Sequence, residues 1–269
     1  MEEFVALMRR YCIDYTSAHD QSVCDEIMAD DYEITISGRT MAMDDYRGAV
    51  AAAFDRYPTL VLTVHDMILS GDRLAMRFSE HGAAADDPTS VAVWSGISLY
   101  HWDGTRLRSC HVEQDFLGRD EQTATGRTAP LEPAHPDPWA TTHDEVGNPA
   151  AEAAVRDWLE TMVADPATAL ADPRVRLLGW DESPNALLAD QSVTVDDLFS
   201  AGDRVAAAIT INGGYEGGLP GLDDGATGLS AGLPATLLAR VEGSDVLEVD
   251  LVRDRWGLIR RLRKGSRLS

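Results

Sequence analysis

Residues 93–118, VWSGISLYHWDGTRLRSCHVEQDFLG, decide the predicted fold, because they form two alternating apolar and polar runs around one tight turn. The turn is Asp103-Gly104, and Asp-Gly is a dipeptide typical of a two-residue hairpin loop. The alternation predicts strands from Ser90 to Trp102 and from Arg106 to Leu117. This stretch therefore predicts the closing hairpin of a largely antiparallel sheet.

The residues before this hairpin predict two more long strands and three helices. The strands extend from Thr59 to Leu69 and from Arg73 to Gly82, with Ser70-Gly71-Asp72 as the turn between them. Apolar residues recur at steps of three and four in the first helix, as expected for an amphipathic segment. The predicted helices are Glu2 to His19, Asp20 to Ala29 and Met43 to Tyr57, with a short strand from Tyr32 to Ser37 before the third.

The second half of the chain repeats this order in outline. Residues Arg119 to Pro149 are rich in proline and lack periodicity, which predicts an extended linker, and an amphipathic helix follows from Ala150 to Ala164. Gly-Asp-Arg occurs at 71–73 and again at 202–204. The segment HVEQDFLG at 111–118 matches DLVRDRWG at 250–257. One internal duplication explains both matches.

Composition limits the partners that the protein can have. The 269 residues carry 23 Lys and Arg against 45 Asp and Glu, and the net charge of −22 would repel nucleic acid and anionic membrane surfaces. Three cysteines without a CxxC pair, and no signal-like N-terminal stretch, predict a reduced, cytoplasmic protein. We expect a soluble protein whose partner is a small molecule, without nucleic-acid or membrane partners.

The first half of the chain resembles SnoaL-like proteins of the nuclear-transport-factor-2-like superfamily. The resemblance is carried by the order of elements and by two segments, VWSGISLYHWDG at 93–104 and EQDFLG at 113–118. The resemblance implies an α+β fold of two fused cone-shaped domains, each with helices packed on a curved, mainly antiparallel sheet. We expect a SnoaL-like domain with the candidate pocket at 1–120, a Pro-rich linker at 121–149 and a degenerate copy at 150–269. It also implies an internal pseudo-dimer, with a homodimer of chains as the alternative.

Three titratable residues alternate along the predicted last strand of the first domain. His111, Glu113 and Asp115 share one face, since side chains two apart in a strand point the same way. On an open surface they would form a solvated stripe, whereas on the concave face a desolvated carboxylate could act as a general base. Asp115 is the first choice for the base, because it stands where the resemblance to cyclases and limonene epoxide hydrolase places an acid.

A second acid, Glu80, ends an apolar face of the strand Arg73 to Gly82. Limonene epoxide hydrolase pairs an acid at this place with one on the last strand, but Phe78 stands here in place of its arginine. Arg77 is one position away and should point to the other face. A rim position for Glu80, paired with Arg77 or His81, is the alternative to a catalytic one.

The remaining candidates would bind substrate or support the fold. Aromatic and polar residues Trp94, Ser98, Tyr100 and Trp102 share one face of their strand, and the comparison with ketosteroid isomerase matches its helical tyrosine to Tyr11 or Tyr15. The acids of that enzyme are missing, which disfavours its mechanism. The predicted set is catalytic Asp115, Glu80 and His111, and substrate-binding Tyr15, Trp94, Ser98, Tyr100 and Glu113, with no metal and no cofactor, since no HExxH or close His/Cys cluster occurs.

The second half lacks most of this set. Asp254 corresponds to Asp115, but Ile211 replaces Glu80 and Asp250 replaces His111. Its Gly-rich residues 213–232 predict a flexible loop, so this half is expected to be a structural partner. The leading functional hypothesis is a cofactor-independent general acid/base enzyme of the cyclase, isomerase, dehydratase or hydrolase type acting on a small apolar molecule. A non-catalytic small-molecule-binding or scaffold protein and a limonene-epoxide-hydrolase-like hydrolase are the alternatives.

Overall fold

The computed structural model describes residues 2–265, which form two sheets, each with its own helices packed on one face. In the first half the helices are α1 (Glu2–Arg10), α2 (Cys24–Ile27), α3 (Met43–Arg56) and α4 (Phe116–Thr125), with a π-helical turn at Tyr11–Ser17 and a 3-10 turn at Gln21–Val23. The strands are β1 (Met28–Ile36), β2 (Arg39–Ala42), β3 (Val61–Ser70), β4 (Arg73–Ala83), β5 (Val91–Trp102), β6 (Leu107–Gln114) and β7 (His143–Asp144).

The second half contains α5 (Pro149–Ala164), α6 (Pro166–Ala171), β8 (Val175–Leu177), β9 (Leu188–Ala201), β10 (Arg204–Tyr215), β11 (Ser230–Glu242), β12 (Asp245–Arg253) and α7 (Arg255–Gly265). A 3-10 turn at Asp224–Ala226 lies in the loop before β11. Among residues 2–265, no helix is long and apolar enough to cross a membrane.

The two sheets have matching strand orders, β2-β1-β6-β5-β4-β3-β7 and β8-β12-β11-β10-β9. In both, the first strand of the half runs parallel to the last long strand, β1 beside β6 and β8 beside β12, and the long central strands pair antiparallel. Arg73 opens β4 and Arg204 opens β10, each after a glycine with positive φ. The α+β fold is confirmed, and the topology is that of a tandem duplication in which the second copy has no counterpart of β2 and α3 among the described residues.

The outer faces of the two sheets pack against each other. Nine fully or nearly fully buried residues form this apolar layer: Ile68, Ala75, Ile97, Leu99, Phe199, Ala201, Ala206, Leu238 and Val252. Ion pairs surround it, including Arg204 with Asp66 at 2.9 Å, Arg77 with Asp250 at 3.0 Å, and Arg73 with Asp197. Each sheet therefore has one face committed to the other half of the chain and one face free to pack on its own helices.

The junction between β6 and α4 differs from the prediction. The strand was expected to continue to Leu117 and the linker to begin at Arg119, but β6 ends at Gln114 and α4 extends from Phe116 to Thr125. Asp115 lies between them as the N-cap, and its side chain accepts a hydrogen bond from the Gly118 amide at 3.1 Å. An aspartate at this position satisfies an amide that a helix start leaves unpaired, which ends the strand.

Other boundaries also differ. The predicted first helix to His19 changes to π-helical hydrogen bonding at Tyr11, and the four residues of β2 were not predicted. The predicted flexible loop at 213–232 is shorter, since Gly213 and Gly214 pair within β10 and Gly232 within β11. The boundaries of these strands are thus set by pairing with neighbouring strands, which local sequence preference does not encode.

The second copy uses the same cap, with Asp254 accepting from the Gly257 amide at 2.8 Å. A methyl group at Gly257 would overlap the Asp254 carboxylate. We expect Gly257→Ala to lower the free energy of unfolding by about 2–4 kcal/mol, because it displaces a buried, ion-paired cap. Gly48→Ala is the matched control: Gly48 lies in α3 with open space around it, so alanine should stabilise by roughly 0.5–1 kcal/mol. Equal effects in urea titrations would contradict the role of the cap.

Candidate active site in the first domain

A cavity of about 530 Å³ lies between the concave face of the first sheet and the helices that cover it. Its floor consists of side chains two apart on adjacent strands, namely Ile34, Ile36, Met76, Phe78, Glu80, Trp94, Tyr100, Val112 and Gln114. Helix α3 and the π-helical turn close the opposite side with further apolar and tyrosine side chains. The volume and the mostly apolar lining suit a small organic molecule.

Glu80 is the one carboxylate in the lining of this cavity, as far as the described residues show. It is half-buried on β4, opposite Trp94 of β5 in the sheet register. Burial raises the pKa of Glu80 from its ordinary value to about 7, although the Arg119 charge and a hydrogen bond with Trp94 oppose the rise. A carboxyl group with this pKa can both accept and return a proton near neutral pH.

Polar side chains on three elements surround Glu80. The indole Nε1–H of Trp94 donates to Oε1 of Gln114 at 2.8 Å, which joins β5 to β6 across the cavity floor. Arg119 of α4 stacks on Phe116, with 4.5 Å from the guanidinium carbon to the ring centroid. The three side chains line the cavity together with Glu80 and provide hydrogen-bond donors and a positive charge at its polar end.

Tyrosine hydroxyls line the other, helical side of the cavity. Tyr11 and Tyr46 are hydrogen-bonded to each other through their hydroxyl oxygens at 2.7 Å. Tyr15 is almost fully buried, and its hydroxyl has no hydrogen-bond partner among the described residues. Burial raises the pKa of all three phenols, so they are neutral donors at physiological pH.

The structure brings together four of the residues predicted for the site. Glu80, Tyr15, Trp94 and Tyr100 line the cavity, as their strand and helix faces suggested. Ser98 is on the same face of β5 but is fully buried beside Met76 and Val112 of the neighbouring strands, outside the lining. Ser98 therefore lies outside the cavity lining, contrary to its predicted place there.

His111 and Glu113 do share a face, as predicted, but it is the outer face of the sheet. Placing them in the cavity is wrong, since both lie between the two domains. His111 Nδ1 is 3.5 Å from the Asp197 carboxylate of the second domain. Glu113 is 4 % exposed and accepts from the Ser37 amide at 3.1 Å, and burial with the nearby Asp254 charge raises its pKa.

Asp115 does not reach the cavity, which corrects its predicted place there. Its carboxylate is buried at the domain interface, where it accepts from the Gly118 and Trp180 amides and pairs with Arg255 at 2.7 Å. These contacts use both carboxylate oxygens and hold the side chain in place. The sequence also predicts that Asp115 contacts Glu80 or His111 in the cavity. This is wrong, because Glu80 lines the cavity whereas Asp115 and His111 lie at the domain interface.

The sequence did not single out several residues that complete the cavity. Gln114 and Phe116 were placed on the face opposite to the candidate base, and Arg119 was placed in the linker. Their signal was available in the alternation of β6 and in Asp-x-x-Gly at 115–118, which is compatible with a helix start. The second domain, expected to be structural only, also contributes Trp256, Gly257, Arg260, Arg261 and Lys264 of α7 to the lining.

No group of three or more His, Cys, Asp and Glu side chains within residues 2–265 is arranged to hold a metal ion.

Comparison with known families identifies the first half of the chain. A sequence model of the family described as "SnoaL-like domain" matches residues 8–109. Residues 8–109 form a SnoaL-like domain. This match confirms the family resemblance, and it covers β1 to β5, α3 and the beginning of β6.

Three solved structures illustrate the likeness of the SnoaL-like domain. Wild-type IdmH of Streptomyces antibioticus, provisionally assigned as a polyketide cyclase, is 15% identical, with 44% of this chain and 96% of that chain covered and a TM-score of 0.41. A protein of Jannaschia sp. CCS1 with a provisional SnoaL-like polyketide cyclase assignment is 16% identical, with 48% of this chain and 94% of that chain covered and a TM-score of 0.42. A provisionally assigned polyketide cyclase of Acidithiobacillus ferrooxidans is 17% identical, with 45% of this chain and 93% of that chain covered and a TM-score of 0.40. No curated protein matches the sequence.

Asp115→Asn tests the structural place of Asp115. We expect it to lower the free energy of unfolding by about 3 kcal/mol, because it removes the nearer of the two carboxylate partners of buried Arg255 and leaves only Glu182, at 3.6 Å. Glu248→Gln removes one acidic charge from a surface pair and should change stability by less than about 0.5 kcal/mol. Urea unfolding at pH 7 measures both. An unchanged stability in Asp115→Asn would contradict the interfacial role.

The raised pKa of Glu80 gives a pH-dependent stability with a definite sign. The unfolded chain releases the Glu80 proton near the ordinary value of 4.5, whereas the native state holds it until about pH 7. Glu80 therefore lowers stability progressively between about pH 4.5 and 7, and the full cost persists above pH 7. Glu80→Gln should raise the free energy of unfolding by about 1–3 kcal/mol at pH 8 and leave it unchanged at pH 4. A gain that is equal at both pH values would contradict the shifted pKa.

Proposed function

We propose that the SnoaL-like domain is a cofactor-independent acid/base enzyme that moves protons on a small, mainly apolar molecule, with Glu80 as the proton-transfer group. One observation carries the proposal: a single carboxylate, with its pKa raised to about 7, lies in the wall of a largely apolar cavity of about 530 Å³. Desolvation makes such a carboxylate a stronger base than one in water at the same pH. The family match supports the same class of chemistry.

The surroundings of Glu80 give the other roles. Gln114, whose Oε1 accepts the Trp94 indole N–H, supplies amide N–H groups, and Arg119 supplies a positive charge where an enolate or alkoxide oxygen would develop. The tyrosine hydroxyls on the helical side can orient a carbonyl or hydroxyl group. Glu80 would take a proton from carbon and return it to another atom of the same molecule, which covers isomerisation, cyclisation and dehydration.

The single carboxylate disfavours the alternative in which two acids share a nucleophilic water. Asp115 is held by Arg255 at the domain interface, and no second carboxylate lines the cavity within the described part of the chain. Arg119 could serve as the cation that such an enzyme needs, but its partner acid is missing. A proton-transfer enzyme therefore fits the lining better than an epoxide hydrolase.

A generic substrate for proton abstraction tests the proposal without knowledge of the natural one. In 5-nitrobenzisoxazole a base takes the proton from C3 while the N–O bond breaks, and the product is a coloured cyanonitrophenolate. We expect wild-type protein to accelerate this reaction with a rate that rises with pH to half its maximum near pH 7. Glu80→Gln should lower the rate by about 100-fold or more, because it removes the base.

Asp115→Asn and Glu248→Gln are the controls, assayed at a temperature where circular dichroism shows each variant folded. Both should keep the wild-type rate and pH profile, because neither side chain lines the cavity and asparagine at 115 retains a side-chain oxygen that can cap α4. A rate that survives Glu80→Gln, or that is lost only in Asp115→Asn, would overturn the assignment of Glu80. Binding of the probe without acceleration would favour the small-molecule-binding protein.

A further inference from the structure

The charges that line the cavity are opposite in sign to those of the chain as a whole. The protein has a net charge of −22, yet the lining contains one acid, Glu80, and five cationic residues. These cations are Arg39, Arg119, Arg260, Arg261 and Lys264. Lys264 is the single lysine of the sequence. A local excess of positive charge in an acidic protein creates a potential that attracts anions to this place.

Helix α7 of the second domain presents three of these cations along one face. Trp256, Arg260 and Lys264 are four residues apart, and Arg261 follows Gly257 at the same spacing, so all five lie on the side that borders the cavity. Trp256 anchors this face by donating its indole N–H to Asp120 of α4 at 3.1 Å. The position of the basic residues is therefore fixed by the contact between the domains.

Two of the cations are not neutralised by neighbours. Arg261 is bound to the Asp254 carboxylate at 3.1 Å and to the Ser37 carbonyl at 2.9 Å, and Arg119 is bound to Asp120 at 2.9 Å. Arg260 and Lys264 have no ion pair within residues 2–265, and the Arg260 guanidinium lies over the Trp256 ring at 4.4 Å. Both side chains are exposed, so a ligand in the cavity can meet them at its mouth.

The helix dipole does not account for this arrangement. Cations in the last turn of a helix are favourable on any side of it. Arg263 lies in the same turn but bonds to the Gly221 carbonyl at 3.0 Å, away from the cavity lining. The side of α7 that carries Arg260 and Lys264 is the one that meets the apolar space.

We infer that the mouth of the cavity recognises an anionic head group, a carboxylate or a phosphate, on an amphiphilic molecule whose apolar part occupies the cavity. The inference rests on the proposed function, since it names the substrate class of the same site. The apolar floor binds the body of the molecule near Glu80, while Arg260 and Lys264 bind its charged end. The second domain thereby contributes specificity to a site whose chemistry lies in the first.

Two dyes that differ only in one charged group test the inference by binding alone. 8-Anilinonaphthalene-1-sulfonate is anionic, and N-phenyl-1-naphthylamine has the same rings without the sulfonate. Fluorescence titration at pH 8 should show that the double variant Arg260→Gln/Lys264→Gln binds the anionic dye with about 3- to 30-fold lower affinity, as expected for the loss of two partly exposed charge contacts. The affinity for the neutral dye should change by less than about 2-fold.

Arg10→Gln/Arg240→Gln is the matched control, because it removes the same charge from exposed arginines outside the cavity. This control should leave both dyes unaffected. An equal loss of affinity for the anionic dye in the control would assign the effect to overall charge and overturn the inference. An equal loss of affinity for both dyes in Arg260→Gln/Lys264→Gln would also overturn it. Because the readout is binding, it is independent of whether Glu80→Gln abolishes proton transfer.

Competitors then distinguish the two head groups. 2-Naphthoate and 2-naphthyl phosphate should each displace the anionic dye at lower concentration than 2-naphthol. Whichever anion displaces the dye at the lower concentration identifies the preferred head group, a carboxylate or a phosphate. Displacement by 2-naphthol at the same concentration as both anions would overturn the inference.

The single lysine offers a second readout on the unmodified protein. Reductive methylation of Lys264, mapped by peptide mass spectrometry, should be slowed several-fold by the preferred anion and not by 2-naphthol. Methylation that both ligands leave unchanged would place the head group elsewhere and contradict the inference.

Discussion

Two aspartates that cap helices hold the architecture of the site. Asp115 ends β6 and begins α4, and Asp254 ends β12 and begins α7. Each also bonds across the domain boundary, Asp115 to the Trp180 amide and Asp254 to the Ser37 hydroxyl, so the two contacts mirror each other. Because a cap redirects the chain at a fixed residue, it sends Phe116 and Arg119 toward the cavity and brings the basic face of α7 to its mouth. The position of the site thus depends on carboxylates that do not belong to it.

The packing of the two sheets determines which side chains are available for chemistry. Their outer faces are buried against each other, and the acids and histidine on the last strand of the first sheet are used in ion pairs and hydrogen bonds there. The concave face keeps a cavity because α3 and the π-helical turn cover it. In that cavity the free energy cost of desolvating Glu80 is retained as a raised pKa, whereas in the interface the carboxylate of Asp115 is compensated by Arg255.

The two copies have diverged in complementary ways. The described part of the second copy has no counterpart of β2 and α3, and its helices pack on an apolar core that includes Ile211 at the place of Glu80. Its last helix, however, borders the cavity of the SnoaL-like domain. Duplication followed by specialisation explains this division, since a copy that already packs against its partner can lose its own cavity and still present side chains to the other.

The sequence by itself determined the α+β class, the repeat of the element order and the parity of the strands, because an alternation of two residues is a local property of an extended chain. Parity placed Glu80 on the same face as Met76 and Phe78, and His111 on the same face as Glu113, and both groupings hold. Only the tertiary structure decided which face of the last strand is concave, since this depends on contacts between residues more than a hundred positions apart, such as Asp115 with Arg255. The same distance explains why α7 could not be assigned to the cavity from sequence: its basic face acquires a function only where the second domain meets the first.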